Sequence, residues 1–323
     1  MTTPINISVL GKSGVGKTSA LIAMFNHFQS DFFEGFNLRF AFDPTTGKLI
    51  SEERNRLISS LEKGTLDHTY GIRPTQDIVR YKVQLGRKGE NFTPLHIEFI
   101  DYPGSWLTGT AAEQSNVKDI ISSSKVLIIP IDSALLMETD NDLSANEILA
   151  ALKDIYSEQA GPRMIVLAPV KSEKYYEPDN SSHQGKAYYS LIKRVQEKYE
   201  GIISFLTSKH LNRTTSLVIT PIQTLGSCKL LYFSSSEDAP QTPVFVVTQR
   251  GVYAPKHAEQ PLLSILSFLF KDQYEEQNKG FKGILRRFKG DSKYLKTTSE
   301  ELSQFGSSYD EMKFSPYSYI SHF

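Results

Sequence analysis

Short apolar runs alternate along the chain with longer segments in which apolar residues recur every three or four positions. Runs such as INISVL (5–10) and KVLIIPI (125–131) predict buried strands. Segments such as SALIAMFNHF (19–28) and SANEILAALKDIYSEQ (144–159) predict helices. Strands that alternate with helices indicate an α/β fold with a mostly parallel central sheet and helices on both faces.

One part of this pattern predicts a strand that runs against the others. The runs DIVRYKVQL (77–85) and LHIEFI (95–100) are separated only by GRKGENFTP (86–94). Two strands joined by so short a loop favour an antiparallel hairpin. The sheet is therefore predicted to be parallel except for one antiparallel strand.

The pattern also predicts insertions within one large domain, residues 1–271. Residues 27–74 are too long for a simple connection and contain a helical stretch at 46–64, so an ordered insertion is expected. It serves either effector recognition or packing of the first helix. Residues 172–186 form a second predicted insertion, with a polar loop at 175–186, and 187–207 read as one long helix. An added hairpin is expected at about 228–248.

The remaining residues, 272–323, are predicted to be a separate segment. GFKGILRRFKGDSK (280–293) places apolar residues at helical spacing among lysines and arginines, which predicts a short basic amphipathic helix. This helix packs back on the domain or binds a partner groove, with contact of 280–290 to an anionic membrane the less favoured alternative. Beyond 296 a weakly ordered tail is expected.

Composition narrows the functional classes. The 36 basic and 36 acidic residues balance, so no net charge favours nucleic acid, and no nucleic-acid partner is expected. The single cysteine excludes an internal disulfide and a cysteine-based metal site. The sequence shows neither the pattern of a secretory signal nor that of a membrane span, so a cytoplasmic location is expected. The histidines show no metal-ligand spacing.

The first strand ends in a phosphate-binding pattern. Residues 11–18, GKSGVGKT, match GxxxxGK[ST] between a predicted strand and a predicted helix. Glycines there let backbone N–H groups turn inward around phosphate oxygens. Lys17 is predicted to reach the β- and γ-phosphates, and the Thr18 hydroxyl to ligate Mg²⁺. The residues predicted to hold the nucleotide phosphates are Gly11, Ser13, Gly14, Val15, Gly16, Lys17, Thr18 and Ser19.

A second motif follows the strand at 95–100. Asp101-Tyr102-Pro103-Gly104 is DxxG, in which Asp101 is predicted to hold Mg²⁺ and the Gly104 N–H to bond the γ-phosphate. Upstream, Thr75 is the candidate for a threonine that closes over the metal, with Thr69 as its rival. This order of P-loop, threonine, hairpin and DxxG resembles the translation-factor-related GTPases, including the Ras-like ones.

That resemblance implies a base-binding site after the strand at 163–170. Where such GTPases carry NKxD, this chain has Val170-Lys171-Ser172-Glu173. Lys171 would lie along the base, and Glu173 would accept hydrogen bonds from guanine. Gln223 and Thr224 stand where a GTPase contacts the base through its backbone. Because Val170 replaces asparagine and glutamate replaces aspartate, guanine and adenine both stay open.

The resemblance also bears on hydrolysis. Ser105 stands directly after DxxG, where Ras-like enzymes carry a glutamine that positions water, so slow turnover accelerated by a partner is expected. Trp106 either covers the site or belongs to the core. Arg73 is a candidate for a catalytic arginine ahead of Thr75, with a surface charge as the alternative.

The motifs GKSGVGKT, DYPG, VKSE and TPIQTLG, followed by YAPKHAEQPL and an apolar helix, resemble the bacterial double-GTPase proteins of the TRAFAC clade. The resemblance covers about residues 5–270. It implies a P-loop NTPase fold of three layers and a switch that binds GTP or GDP with Mg²⁺. It also implies a protein partner or effector, for which a second GTPase is a candidate, and a defence or conflict setting. Two alternatives are a pseudo-GTPase scaffold and an ATPase.

Overall fold

The computed structural model shows the predicted alternation of strands and helices. It describes residues 4–28, 31–36, 38–66, 75–87, 95–139, 145–156, 163–176, 181–208, 210–211, 214–236, 239–278 and 296–304. The strands are β1 (Ile5–Val9), β2 (Leu38–Phe42), β3 (Thr65–Leu66), β4 (Val79–Arg87), β5 (Leu95–Asp101), β6 (Ser124–Asp132), β7 (Arg163–Val170), β8 (Thr215–Ile219), β9 (Cys228–Ser236) and β10 (Ala239–Val247).

The helices of the described residues flank these strands. They are α1 (Lys17–Phe28), α2 (Pro44–Leu61), α3 (Ala111–Ser123), α4 (Ser133–Glu138), α5 (Ala145–Tyr156), α6 (Ser181–Lys198), α7 (Glu200–Leu206), α8 (Glu259–Asn278) and α9 (residues 296–304). Short 3₁₀ helices lie at Asp31–Phe36, Gly104–Thr108 and Glu173–Tyr176.

The central sheet has seven strands in the order β2-β4-β5-β1-β6-β7-β8. Strand β4 pairs antiparallel with both β2 and β5, whereas β5, β1, β6, β7 and β8 pair in parallel. One strand thus runs against all the others. The predicted fold class, a mostly parallel sheet with one antiparallel strand, is confirmed.

Two apolar cores cover the two faces of this sheet. Strand β6 shows why, because successive residues of a strand point to opposite faces. Val126 and Ile128 join the core beneath α1 and α8, whereas Leu127 and Ile129 join the core beneath α3, α5, α6 and α7. All four side chains have no exposed surface. The result is a three-layer arrangement with helices on both faces.

The insertion at 27–74 is ordered in its described residues and packs against the sheet. Its strand β2 extends the sheet beyond β4, and the rings of Phe28 and Phe40 stack with their centroids 4.1 Å apart. Helix α2 begins where Asp43 caps the N–H groups of Thr45 and Thr46, directly before Pro44 in the first turn. These contacts support the packing interpretation, while effector recognition stays a prediction.

A second, three-stranded sheet in the order β3-β10-β9 accounts for the hairpin predicted at 228–248. It has a small apolar core of its own that includes Leu66, Cys228 and Phe245. Burial raises the pKa of the Cys228 thiol well above its usual value. Because β3 belongs to the insertion, this sheet joins two segments that are distant in sequence.

Three local predictions differ from the structure. The helix predicted at 187–207 begins earlier, at Ser181, and is divided into α6 and α7 at Tyr199, so residues 181–186 are helical rather than part of a polar loop. Helix α8 continues through the predicted boundary at 271. The domain boundaries and the insertion at 172–186 otherwise stay predictions.

The tail also differs, because residues 296–304 form α9 where weak order was expected. Leu302 is fully buried in the core that α8 shares, and the hydroxyls of Ser267 and Ser299 each donate to the other residue's carbonyl, at 3.0 and 2.9 Å. One buried leucine and a reciprocal pair of hydrogen bonds thus dock a segment whose composition looks polar. The predicted basic helix at 280–290 lies outside the described residues.

Candidate functional site

The predicted site residues follow strands whose carboxyl ends lie at one edge of the sheet. In the parallel part of the sheet β5, β1, β6, β7 and β8 are neighbours, so the segments that follow them lie side by side. Ligands of such sheets bind beyond this edge. The sequence predicts its phosphate, metal and base residues after β1, β5, β7 and β8.

The phosphate loop connects β1 to α1. Gly14 and Gly16 have φ values of 79° and 106°, a backbone conformation that favours glycine. A Cβ on Gly16 would also lie 3.4 Å from Val170 Cγ2, so the loop packs against the end of β7. Gly11, Ser13, Gly14, Val15 and Gly16 form the turn, and Lys17, Thr18 and Ser19 open α1, while phosphate binding by these residues stays a prediction.

Lys17 is buried at the centre of this loop. Its Nζ donates to the carbonyls of Gly11 at 3.1 Å and Lys12 at 3.2 Å, and lies 5.8 Å from the centre of the Tyr102 ring. Burial lowers the pKa of Lys17, and the nearby charge of Asp101 opposes that shift. A desolvated ammonium held by carbonyl dipoles is suited to bind an anion that brings several charges.

The three residues predicted to hold a metal come together. Thr18 Oγ1 donates to Asp101 Oδ2 at 2.6 Å, and Thr75 Oγ1 donates to the same oxygen at 3.2 Å. The two hydroxyl oxygens are 3.4 Å apart. Among the described residues, Asp101 Oδ1 finds no hydrogen-bond partner although it is buried. Burial raises the pKa of the Asp101 carboxyl, against the hydrogen bond from Thr18 and the charge of Lys17.

Gly104 presses directly on the phosphate loop. A Cβ at this position would lie 2.2 Å from Ser13 N, 2.4 Å from Lys12 C and 2.7 Å from Lys17 Nζ. No side chain fits into these distances without moving backbone atoms. The turn after β5 and the loop after β1 therefore lie in direct contact, and the γ-phosphate contact of the Gly104 N–H stays a prediction.

Lys171 links the predicted base site to the phosphate loop. Its Nζ donates to Gly14 O at 3.1 Å and forms an ion pair with Asp132. Asp132 ends β6 opposite Val170 and also caps α4 through the N–H of Leu135. Lys171 has a φ of 55°, which is uncommon for a side chain of this size. Such conformations persist where the surroundings enforce them, often at functional sites.

Glu173 is buried and anchors the segment after β8. Its Oε1 accepts hydrogen bonds from the N–H groups of Leu225 at 2.8 Å and Gly226 at 3.3 Å. Within the described residues, Oε2 is buried without a partner. Burial raises the pKa of Glu173, and the hydrogen bond from Leu225 opposes that shift. One oxygen thus holds the loop, and the base contact predicted for Glu173 stays a prediction.

The neighbouring residues Gln223 and Thr224 are both buried. The N–H and carbonyl of Gln223 each pair with Lys256, at 3.0 Å. The backbone groups of Gln223 that were predicted to contact a base are thus hydrogen-bonded to Lys256 instead. For Thr224 the contact stays a prediction.

The residues predicted to affect hydrolysis are only partly described. Arg73 and Thr69 lie outside the described residues. Ser105 is exposed, and Trp106 is half-buried and packs against the core beneath α3. The core interpretation of Trp106 is therefore favoured over a cover for the site.

Two features of the site were not predicted from the sequence. Asp132 ends the apolar run KVLIIPID, and a lone acid after a buried strand is the signal that marks it. Glu147 of α5 lies 2.7 Å from Lys12 of the phosphate loop. No sequence signal points to this contact, because it joins segments far apart in the chain.

Glu173→Ala is expected to lower the free energy of unfolding by about 1–3 kcal/mol, since it leaves two half-buried N–H groups without their charged acceptor. Glu173→Gln is the matched variant, because its amide oxygen still accepts from Leu225 and Gly226. Urea denaturation of both proteins checks the difference. Equal losses in the two variants would mean that Oε1 does not hold the loop.

The fold and this site define a P-loop nucleotide-binding protein of the GTPase kind. The model of the family Double-GTPase 2 matches residues 5–215, which is most of the chain. The protein belongs to the Double-GTPase 2 family. This confirms the family expected from the motifs.

The similarity of this chain to solved structures is weaker. The signal recognition particle receptor SRb-GTP/SRX complex from Chaetomium thermophilum has 14% identity and a TM-score of 0.38, over 70% of this chain and 93% of that one. The GTP-bound Ski7 GTPase-like domain of S. cerevisiae has 13% identity and a TM-score of 0.37, and the similarity covers 69% of this chain and 44% of that one. With TM-scores this low, neither likeness supports a functional inference. No curated protein matches the sequence significantly.

Two features are absent from the described residues. None of their helices has the length and apolar character needed to cross a bilayer. They also contain no group of three or more histidine, cysteine or acidic side chains placed to hold a metal. The predicted magnesium site differs from such a group, because two of its three ligands are threonines.

Proposed function

We propose that the protein is a Mg²⁺-dependent guanine-nucleotide switch that hydrolyses GTP slowly. The observation that carries this proposal is the meeting of Thr18, Thr75 and Asp101 beside the buried ammonium of Lys17. These groups come from α1, from the segment before β4 and from β5. A site assembled from segments that far apart supports a shared ligand.

The residues present fit a magnesium ion. Oxygen donors are what Mg²⁺ prefers, and the unpartnered Asp101 Oδ1 supplies an acceptor that the protein itself does not satisfy. Thr18, Thr75 and Asp101 would hold the ion, which neutralises phosphate charge when bound. Lys17 and the backbone N–H groups of residues 13–18 would bind and orient the phosphates.

Glu173 supports guanine over adenine. Guanine offers two neighbouring N–H donors, and the buried Glu173 Oε2 is an acceptor without a partner in the described part of the chain. Adenine has no donors at the corresponding positions and would leave this oxygen unsatisfied, which costs about 1–3 kcal/mol. An ATPase is therefore the less favoured alternative.

Slow turnover follows from the residue after DxxG. The exposed Ser105 hydroxyl is too short to position water against the γ-phosphate as a glutamine does. Acceleration by a partner protein accords with this, and the family name makes a second GTPase a candidate partner. Arg73 stays a candidate for a catalytic arginine, and the defence setting stays an expectation from the resemblance.

A nucleotide-binding scaffold without hydrolysis is the second candidate function, favoured by the same Ser105 and by Val170 in place of asparagine. The test has two parts. Nucleotide released from the purified protein is identified by ion-exchange chromatography, and phosphate release from GTP is compared in wild type and Lys17→Ala.

Bound GDP or GTP, with slow phosphate release that Lys17→Ala abolishes, is the expected result. Bound guanine nucleotide without phosphate release supports the scaffold. Adenine nucleotide would replace the GTPase by an ATPase. Failure to bind either nucleotide with Mg²⁺ present would overturn the proposal.

A further inference from the structure

An ion pair connects the phosphate loop to α5. Lys12 Nζ lies 2.7 Å from Glu147 Oε1, and both side chains are 41% exposed. Glu147 lies in the first turn of α5, and the hydrogen bond from Lys12 holds the pKa of its carboxyl below the usual value. Position 12 is a variable position of the GxxxxGK[ST] pattern, so binding of phosphate by the loop does not itself require a lysine there.

The backbone of Lys12 lies between two groups that face the γ-phosphate in the proposed function. Its carbonyl accepts from Lys17 Nζ at 3.2 Å. On the other side, a Cβ on Gly104 would lie 2.4 Å from the carbonyl carbon of Lys12. Residue 12 is therefore at the γ-phosphate end of the loop. A lysine carries its charge on a flexible four-carbon stem, which lets the ammonium move around this point.

We propose that Lys12 is a catalytic residue of GTP hydrolysis, and that Glu147 holds its ammonium away from the γ-phosphate. This rests on the proposed GTPase function. In the reaction, water attacks the γ-phosphorus and the bond to the β–γ bridging oxygen breaks. GDP and inorganic phosphate form, and a proton of the water passes to solvent. Lys12 keeps its own proton and stabilises the negative charge on the phosphoryl oxygens.

The ion pair is suited to open. Exposed pairs are weak, because water screens both charges and the long side chains lose freedom when they are held. A bound triphosphate carries more negative charge than one carboxylate and competes with Glu147 for the ammonium. A mobile cation would also supply charge stabilisation at a site where Ser105 cannot position water.

The test measures cleavage of bound GTP in a single turnover. Lys12→Met is expected to slow cleavage about tenfold or more. Its affinity for GDP should stay within about twofold of wild type, because GDP has no γ-phosphate for Lys12 to contact. Lys12→Arg should keep most of the rate. Glu147→Gln should raise the rate by up to about fivefold, the most that release of an exposed ion pair provides. The double variant should match Lys12→Met.

The matched control is another exposed ion pair of α5, which joins Asp154 of this helix to Lys118 of α3. Lys118 Nζ and Asp154 Oδ2 are also 2.7 Å apart, with side chains 51% and 59% exposed. Asp154→Asn should leave the rate unchanged.

A Lys12→Met protein that cleaves GTP at the wild-type rate would overturn the catalytic role. A loss of GDP affinity as large as the loss of rate would show a structural role instead. An unchanged rate in Glu147→Gln would overturn the restraint by Glu147. If wild type binds no GTP, the proposed function fails rather than this inference.

Discussion

Gly104→Ala is expected to slow single-turnover cleavage of GTP about 100-fold, the effect of removing one hydrogen-bond donor from a developing charge. The added Cβ would lie 2.2 Å from Ser13 N and 2.4 Å from Lys12 C, which are backbone atoms that cannot yield as a side chain does. The turn must therefore move off the phosphate loop. The Gly104 N–H, which we propose bonds the γ-phosphate, would then no longer reach it, while the contacts expected for GDP persist.

Rapid-quench measurement of GTP cleavage, together with titration by GDP, checks this expectation. Gly86→Ala is the control, because a Cβ at position 86 in β4 meets no atom within 4 Å. It changes a glycine to alanine without disturbing the site. Wild-type cleavage in Gly104→Ala would show that close contact between the two segments is not needed for the reaction.

Gly226→Ala is expected to lower the free energy of unfolding by about 4 kcal/mol or more, through a backbone clash and backbone strain together. Gly226 has a φ of 74°, and a Cβ there would lie 1.6 Å from Ala254 O. Relief of that overlap requires the chain at 226 or 254 to move. The Gly226 N–H, which donates to Glu173, would move as well.

A control variant, Gly251→Ala, separates the cost of backbone strain from the cost of the steric clash. Gly251 has a similar φ of 68°, but the nearest atom to a Cβ there is Glu62 Cγ at 3.7 Å. Gly251→Ala should therefore cost only the left-handed conformation, about 1–2 kcal/mol. Urea denaturation of both variants provides the comparison. Equal losses would mean that the approach of Gly226 to Ala254 does not constrain the fold.

Much of the fold could be predicted because the apolar patterns are local. The run at 126–131 is apolar at every position, which is expected for a strand buried on both faces, and β6 is such a strand. The phosphate loop was predictable for a similar reason, because its glycines and Lys17 are adjacent in sequence. The order of the motifs also predicted that Thr75 and Asp101 would lie beside Thr18, and both side chains contact it or share its hydrogen-bond acceptor.

What could not be predicted depends on contacts between distant segments. The polar composition near residue 299 gave no sign that Leu302 would be buried against α8. The pairing of β3 with β10 joins residues 65–66 to 245–246, and nothing local indicates it. The pattern VKSE likewise could not show that Glu173 uses one oxygen to hold the loop at 225–226.

Helix α8 has a practical consequence for anyone who isolates the nucleotide-binding unit. The family match ends at residue 215, yet Leu262, Leu266 and Leu269 of α8 are buried in the same core as Ile7 and Val9 of β1. A fragment trimmed at the end of the match would expose to water the part of that core that α8 covers, and we expect it to aggregate. The shortest fragment worth expressing runs at least through residue 278.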